Sequence, residues 1–143
     1  MVNKVTNYKA RLILDSRGFP SVRVDLKLNN GIVVGSNAPS GASTGAHEAL
    51  ERRDGGSFWC GKGVDDVLND LNNNVIPEIL NIDPREQGRV DEILLQLDGT
   101  AQKSKLGANC LLPLSMAICR AGAVIENQEL FQWISCLSES ESS

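Results

Sequence analysis

From Ser21 to Leu28 the chain alternates without a fault. Val22, Val24, Leu26 and Leu28 fall on one side, Ser21, Arg23, Asp25 and Lys27 on the other. A period of two is the signature of a strand with one buried face, and a helix cannot honour it. The flanks are turns. Asp15-Ser16-Arg17-Gly18-Phe19-Pro20 precedes the run with Asp, Ser, Gly and Pro, the residues that shape turns. Asn29-Asn30-Gly31 follows it and is a strong hairpin signal. Upstream, Ala10, Leu12 and Leu14 alternate with Arg11 and Ile13; downstream, Ile32, Val33 and Val34 begin a third strand. Three strands joined by short turns make an antiparallel meander with one buried face.

Beyond Trp59-Cys60-Gly61-Lys62-Gly63 the period changes. Val64, Val67, Leu68, Leu71, Val75 and Ile79 form a helical stripe, with a break or kink expected near Pro77. Asp83-Pro84-Arg85-Glu86 reads as a capped helix start, with Val90, Ile93, Leu94 and Leu97 as the apolar face behind it. Ala108 to Ile125 is the next helix, with Leu111, Leu114, Ile118, Ala121 and Ile125 inward. Its small residues Ala117, Ala121, Gly122 and Ala123 leave room for another helix. Glu129 to Leu137 is the last helix, anchored by Leu130, Phe131, Ile134 and Leu137. Strands first and helices afterwards predict an α+β fold: a three-stranded meander followed by a bundle of about four helices. Residues 1–137 form one domain, and 138–143 read as a polar, disordered tail.

The charge balance excludes some functions. Net charge is -4 with both signs interspersed, so nothing steers the chain toward nucleic acid or an anionic membrane. No apolar run approaches the length needed to cross a bilayer, and the N-terminus lacks a signal-peptide core, so a cytosolic protein is expected. Cys60, Cys110, Cys119 and Cys136 show no Cys-x-x-Cys spacing, and His47 is the one histidine. Reduced packing thiols are therefore expected rather than a zinc site or a Cys/His nucleophile pair. Asp65/Asp66 and Glu139/Glu141 read as solvated faces or tail, and His47 as a loop residue.

One stretch asks for more than packing. Pro39-Ser40-Gly41-Ala42-Ser43-Thr44-Gly45-Ala46-His47-Glu48 places two glycines four apart among three hydroxyls. Gly41 and Gly45 let the backbone approach a ligand closely, and Ser40, Ser43 and Thr44 offer oxygens to a metal or an anion. Glu48 to Arg53 reads as a short helical turn after it. Such a run serves either as a lid or phosphate contact or as an ordinary strand-to-helix loop. It is not a Walker loop, because no Gly-Lys-Ser/Thr closes it.

Six words in order carry a resemblance: Asp15-Ser16-Arg17-Gly18-x-Pro20, Pro39 to Gly45, Glu48-Ala49-Leu50-Glu51, Gly61-Lys62-Gly63-Val64, Leu97-Asp98-Gly99-Thr100 and Lys103 to Asn109. Together they resemble the N-terminal domain of enolases, up to about Leu137. The resemblance implies a lyase interconverting 2-phosphoglycerate and phosphoenolpyruvate plus water with Mg²⁺ as cofactor. It implies that Ser40, Gly41, Ala42, Ser43, Thr44 and Gly45 form a mobile lid over substrate, with Ser43 binding the second Mg²⁺ through hydroxyl and carbonyl oxygens. The family's base, acid and remaining metal carboxylates belong to a C-terminal barrel of roughly 250 residues, absent from this chain, so these 143 residues alone are expected to be inactive. The alternative is a free-standing, non-catalytic module that acts by binding a partner protein.

Three positions depart from the family's pattern. Phe19 stands where Asn is usual. Arg23 stands where a Glu commonly pairs with Arg across the family's homodimer contact, and the reversed charge puts that salt bridge in question. Pro113 falls in a helical segment, where a prolyl residue costs about 3 kcal/mol outside the first turn. Either the helix begins near Leu111-Leu112 or the change is destabilising.

Overall fold

The computed structural model describes residues 3–41 and 45–141. Three strands, β1 (Val5–Leu14), β2 (Pro20–Leu28) and β3 (Val33–Asn37), form an antiparallel sheet in the order β1-β2-β3. Val22, Val24, Leu26 and Leu28 of β2 are all buried, as the period-two pattern requires. β1 begins earlier than its alternation suggested, and a register shift between Val5 and Asn7 accommodates the extra residues.

The helices cover one face of the sheet. α1 (Asp65–Asp70) runs through a π-helical turn (Leu71–Val75) into α2 (Ile76–Ile79). The irregularity falls just before Pro77, which cannot donate to the carbonyl four residues back, so the ladder widens there. The widened turn has a structural use. Asn72 receives the Ala10 N–H on Oδ1 (3.0 Å) and donates Nδ2 to the Ala10 carbonyl (3.1 Å), while the Tyr8 hydroxyl donates to the Asn72 carbonyl (3.0 Å). The free edge of β1 is thereby capped at Ala10 by one side chain.

α3 spans Gln87–Asp98, α4 Ala108–Ile125 and α5 Leu130–Glu141. The continuous α1–α2 stretch and these three make the four helices expected. α3 begins four residues after Asp83 rather than at it. Asp83 instead accepts the Arg85 N–H (2.9 Å) and pairs with the Arg85 guanidinium (2.7 Å), spending its oxygens on a turn. α1 is capped from a distance, by the Asp54 carboxylate receiving the N–H groups of Asp65 (2.8 Å) and Asp66 (3.1 Å).

α4 is the central helix. Leu114, Ala117, Ile118 and Ala121 are buried against the sheet and its neighbours. By length and mean hydropathy of 1.5 it could cross a bilayer, which corrects the expectation that no run is long and apolar enough. Most of it is buried inside the domain, and this is how a core helix passes the same test. Because α4 begins at Ala108, Pro113 lies in its second turn and is buried. Replacing Pro113 by alanine restores a donor to the Asn109 carbonyl, worth about 3 kcal/mol, and loses two buried methylenes at ~0.8 kcal/mol each. The expected net is a gain of about 1 kcal/mol, read as a Tm rise of roughly 3 °C. An unchanged or lower Tm would show that the ring's packing outweighs the missing bond.

α5 docks by a different face from the one expected. Trp133 lies over Gly122 of α4, where a Cβ would sit 2.6 Å from the indole nitrogen. Leu130, Trp133 and Leu137 share the partly buried side, whereas Phe131 and Ile134 are 72% and 50% exposed. The small-residue stripe thus does admit a neighbouring helix, through an indole. α5 runs on through Glu141, four residues past Leu137, with the Ser138 and Ser140 hydroxyls donating back to the carbonyls of Ser135 and Leu137 (both 2.8 Å).

Of the four free thiols, Cys110 is buried and Cys119 half-buried. Burial pushes the Cys110 thiol up to about 12 and raises Cys119 as well. Cys60 and Cys136 are exposed, so packing explains only the first two.

Candidate functional site

β3 delivers the chain to Ala38, Pro39, Ser40 and Gly41, at one end of the sheet. The β1–β2 turn lies beside this stem. Asp15 Oδ1 accepts the N–H groups of Arg17 (2.8 Å) and Phe19 (3.0 Å), and the Gly18 N–H donates to the Asp15 carbonyl (3.0 Å). Gly18 has φ +80°, a conformation that favours glycine. The Phe19 N–H first, then the Arg17 N–H and guanidinium, hold the Asp15 carboxyl below its ordinary value.

This turn aims Arg17 at the stem. Its guanidinium lies 3.2 Å from Asp15 Oδ2 and donates to Ser40 Oγ (3.3 Å) and the Gly41 carbonyl (3.4 Å). Phe19, the departure from Asn, serves as a platform between two cations: Lys62 Nζ is 3.9 Å from the ring centroid and the Arg17 guanidinium 5.8 Å. The Arg17 contact was not foreseen. The Asp-Ser-Arg-Gly word predicts a turn, and nothing local to it announces a partner 23 residues away.

On the far side, described chain resumes at Gly45 with a turn, the Glu48 N–H donating to the Gly45 carbonyl (3.3 Å). His47 is exposed in this turn. The expected helix from Glu48 to Arg53 is not formed. Its backbone groups have partners elsewhere: Leu50 N–H donates to the Gln102 carbonyl (3.1 Å), and Ala108 N–H to the Leu50 carbonyl (2.7 Å). Asn109 completes the strap, accepting the Arg52 N–H (3.0 Å) and donating to the Arg52 carbonyl (2.8 Å). Arg52 also pairs with Asp70 at 2.7 Å, and Arg53 donates to the carbonyls of Pro20 and Lys62. The exit strand is thus fastened to α4, α1 and the β1–β2 turn.

Between stem, exit strand and α4 lies an open groove of about 460 Å³, lined by Pro39, Ser40, Gly41, Glu48 and Leu112 among others. Ser40 and Gly41 therefore border this groove, whereas Gly45 is exposed and outside its lining. Ala42, Ser43 and Thr44, including the expected metal ligand, lie outside the described residues. Ser40 itself faces a guanidinium and suits an anion better than a cation. Among the described residues no three His, Cys, Asp or Glu side chains converge as a metal cage.

Arg23 turns inward to its own sheet. Its Nε is 3.0 Å from Asp25 Oδ1 and it donates to Asn37 Oδ1 (2.8 Å), while Arg11 holds the other Asp25 oxygen at 2.6 Å. The pair lies across Gly35, where a Cβ would collide with it.

Residues 5–134 match the family described as enolase, N-terminal domain. Enolase of Solanum lycopersicum is 45% identical over 140 residues, covering 94% of this chain and 32% of that protein. Enolase of Mycoplasmoides gallisepticum is 47% identical over 133 residues, covering 93% and 27%. Enolase 2 of Methanospirillum hungatei is 46% identical over 134 residues, covering 94% and 32%. The chain spans about a third of the length of these relatives.

Proposed function

The chain belongs to the enolase N-terminal domain family, and from that premise we propose that it is the lid-bearing domain of a Mg²⁺-dependent phosphopyruvate hydratase acting in the cytoplasm. The observation that supports this is how the run is flanked: Arg17 holds Ser40 and Gly41 at its start, and the segment after Gly45 is fastened at Leu50 by Gln102 and at Arg52 by Asn109. A short run between two fixed ends can move without disturbing the fold that bears it.

In this reading Ser40 to Gly45 close over 2-phosphoglycerate or phosphoenolpyruvate and exclude water from the reacting carbons. Ser43 contributes its hydroxyl and carbonyl oxygens to the second Mg²⁺, which supplies charge neutralisation at the substrate when bound. Arg17 keeps the stem aligned, and its positive charge favours an anionic ligand. Acid, base and remaining metal ligands come from a barrel outside these residues, so the isolated chain turns nothing over. The family's homodimer is part of the proposal, but Arg23 serves Asp25 and Asn37 within its own sheet and would not supply the usual salt bridge.

The test joins this chain to the barrel portion of the Solanum lycopersicum relative and follows conversion of 2-phosphoglycerate. The expected result is Mg²⁺-dependent turnover that Ser43→Ala reduces about 10- to 100-fold, with the Mg²⁺ requirement shifted upward. A correctly folded chimera indifferent to Ser43→Ala would overturn the assignment.

A further inference from the structure

The two edges of the sheet are treated differently. On β1 the outward N–H and C=O of Ala10 are both taken by Asn72. On β3 the register alternates the other way. Leu28 N–H donates to the Ile32 carbonyl and Ala38 N–H to the Val22 carbonyl, so Val34 and Ser36 face β2 in the pairs between. Val33, Gly35 and Asn37 therefore direct their N–H and C=O groups away from the sheet, and no described group of the chain receives them. Natural sheets blunt such edges with lysine, proline or a covering element. Here the edge instead carries exposed Val33 and follows exposed Ile32.

A groove of about 470 Å³ runs beside this edge, between β3 and the α4–α5 corner. Val34, Ala123, Val124 and Leu130 supply its apolar surface, and Arg120 and Glu129 its charges. Neither charge is in an ion pair among the described residues. Unpaired strand donors and acceptors, an apolar wall at side-chain depth and one free charge of each sign describe a receptor for a single extended chain.

We propose that the β3 edge and the α4–α5 corner bind an extended peptide segment of a partner protein by strand addition, the alternate side chains that face the helices being a carboxylate for Arg120, an apolar residue for the groove and a cation for Glu129. The α4–α5 corner forms a second wall beside the edge, so a lone strand fits where the rim of a second sheet would meet that wall. The interaction is independent of the lid and of any catalytic role.

The probe is the synthetic peptide acetyl-Thr-Glu-Thr-Val-Thr-Lys-amide, in which Glu, Val and Lys share one face, titrated into the 143-residue chain with amide exchange as readout. At saturation the amides of Val33, Gly35 and Asn37 are expected to exchange at least about tenfold more slowly. A copy N-methylated on alternate residues is expected not to bind. Arg120→Ala, at an exposed position, should weaken binding roughly two- to fivefold. Val33→Pro removes an outward donor from an edge strand, where proline is tolerated, and should abolish protection at Gly35 while the fold persists. No binding at millimolar peptide, binding unaffected by N-methylation, or protection appearing on another element would each overturn the proposal. So would self-association of the chain through β3 in place of peptide binding.

Discussion

Asp98→Ala is expected to lower stability by about 3 kcal/mol or more, a fall in Tm of roughly 10 °C. Asp98 is 3% exposed, yet its carboxylate accepts the Thr100 N–H and hydroxyl and the Leu106 N–H. Removing it leaves several donors of one loop without a partner. Burial works against ionisation here. The bonds from Thr100 and Leu106, with Lys103 nearby, outweigh it and hold the carboxyl below its ordinary value. A folded-state value lower than the unfolded one stabilises fully above the ordinary carboxylate range, and the contribution is lost as pH falls through the folded value. Asp98→Asn should therefore show a shallower stability loss between about pH 5 and pH 2 than the parent chain. Equal slopes in urea titrations across that range would contradict the role given to this carboxylate. Asp15, Asp70 and Asp83 are also lowered, so the dependence is reduced rather than abolished.

Asn109→Ala carries the second large effect, about 2–4 kcal/mol. It removes two hydrogen bonds and leaves the N–H and C=O of Arg52 unpaired in a partly buried place. The consequence reaches the candidate site, because residues 50–52 are the irregular segment that follows the Ser40–Gly45 run. Exchange at the Arg52 amide is expected to rise at least about tenfold in Asn109→Ala while β2 stays protected. A variant that loses less than about 0.5 kcal/mol would show that the Leu50 bonds alone hold the strap. Gly107 has φ +91°, and a Cβ there would fall 2.7 Å from Asn109 Oδ1, so glycine precedes Asn109 for the sake of the same strap.

Much of this architecture is legible in the sequence because it follows from local periodicity. The β2 alternation, the Asn29-Asn30-Gly31 turn and the α4 stripe each express one buried face, and burial has few solutions for a given period. What was misread shares a physical cause. Glu48 to Arg53 has helical composition, but its backbone partners, Gln102 and Asn109, lie more than fifty residues on. Asp83 carries a capping pattern, yet Arg85 takes its oxygens first. In α5, Phe131 and Ile134 are apolar at helical spacing, but Gly122 offers a seat that suits the Trp133 ring. The candidate site was legible as a word pattern, whereas Arg17 holding Ser40 and Gly41 was not, since a guanidinium's partner depends on how two turns meet in space.

The most direct measurement is the intact mass of the endogenous protein, captured from its source with an antibody to this domain. The expected result is a species several times heavier than the 15.4 kDa of these residues, carrying a barrel that the proposed lid would cover. A stable 15.4 kDa form as the sole product would contradict the catalytic reading and leave a free-standing binding module in its place.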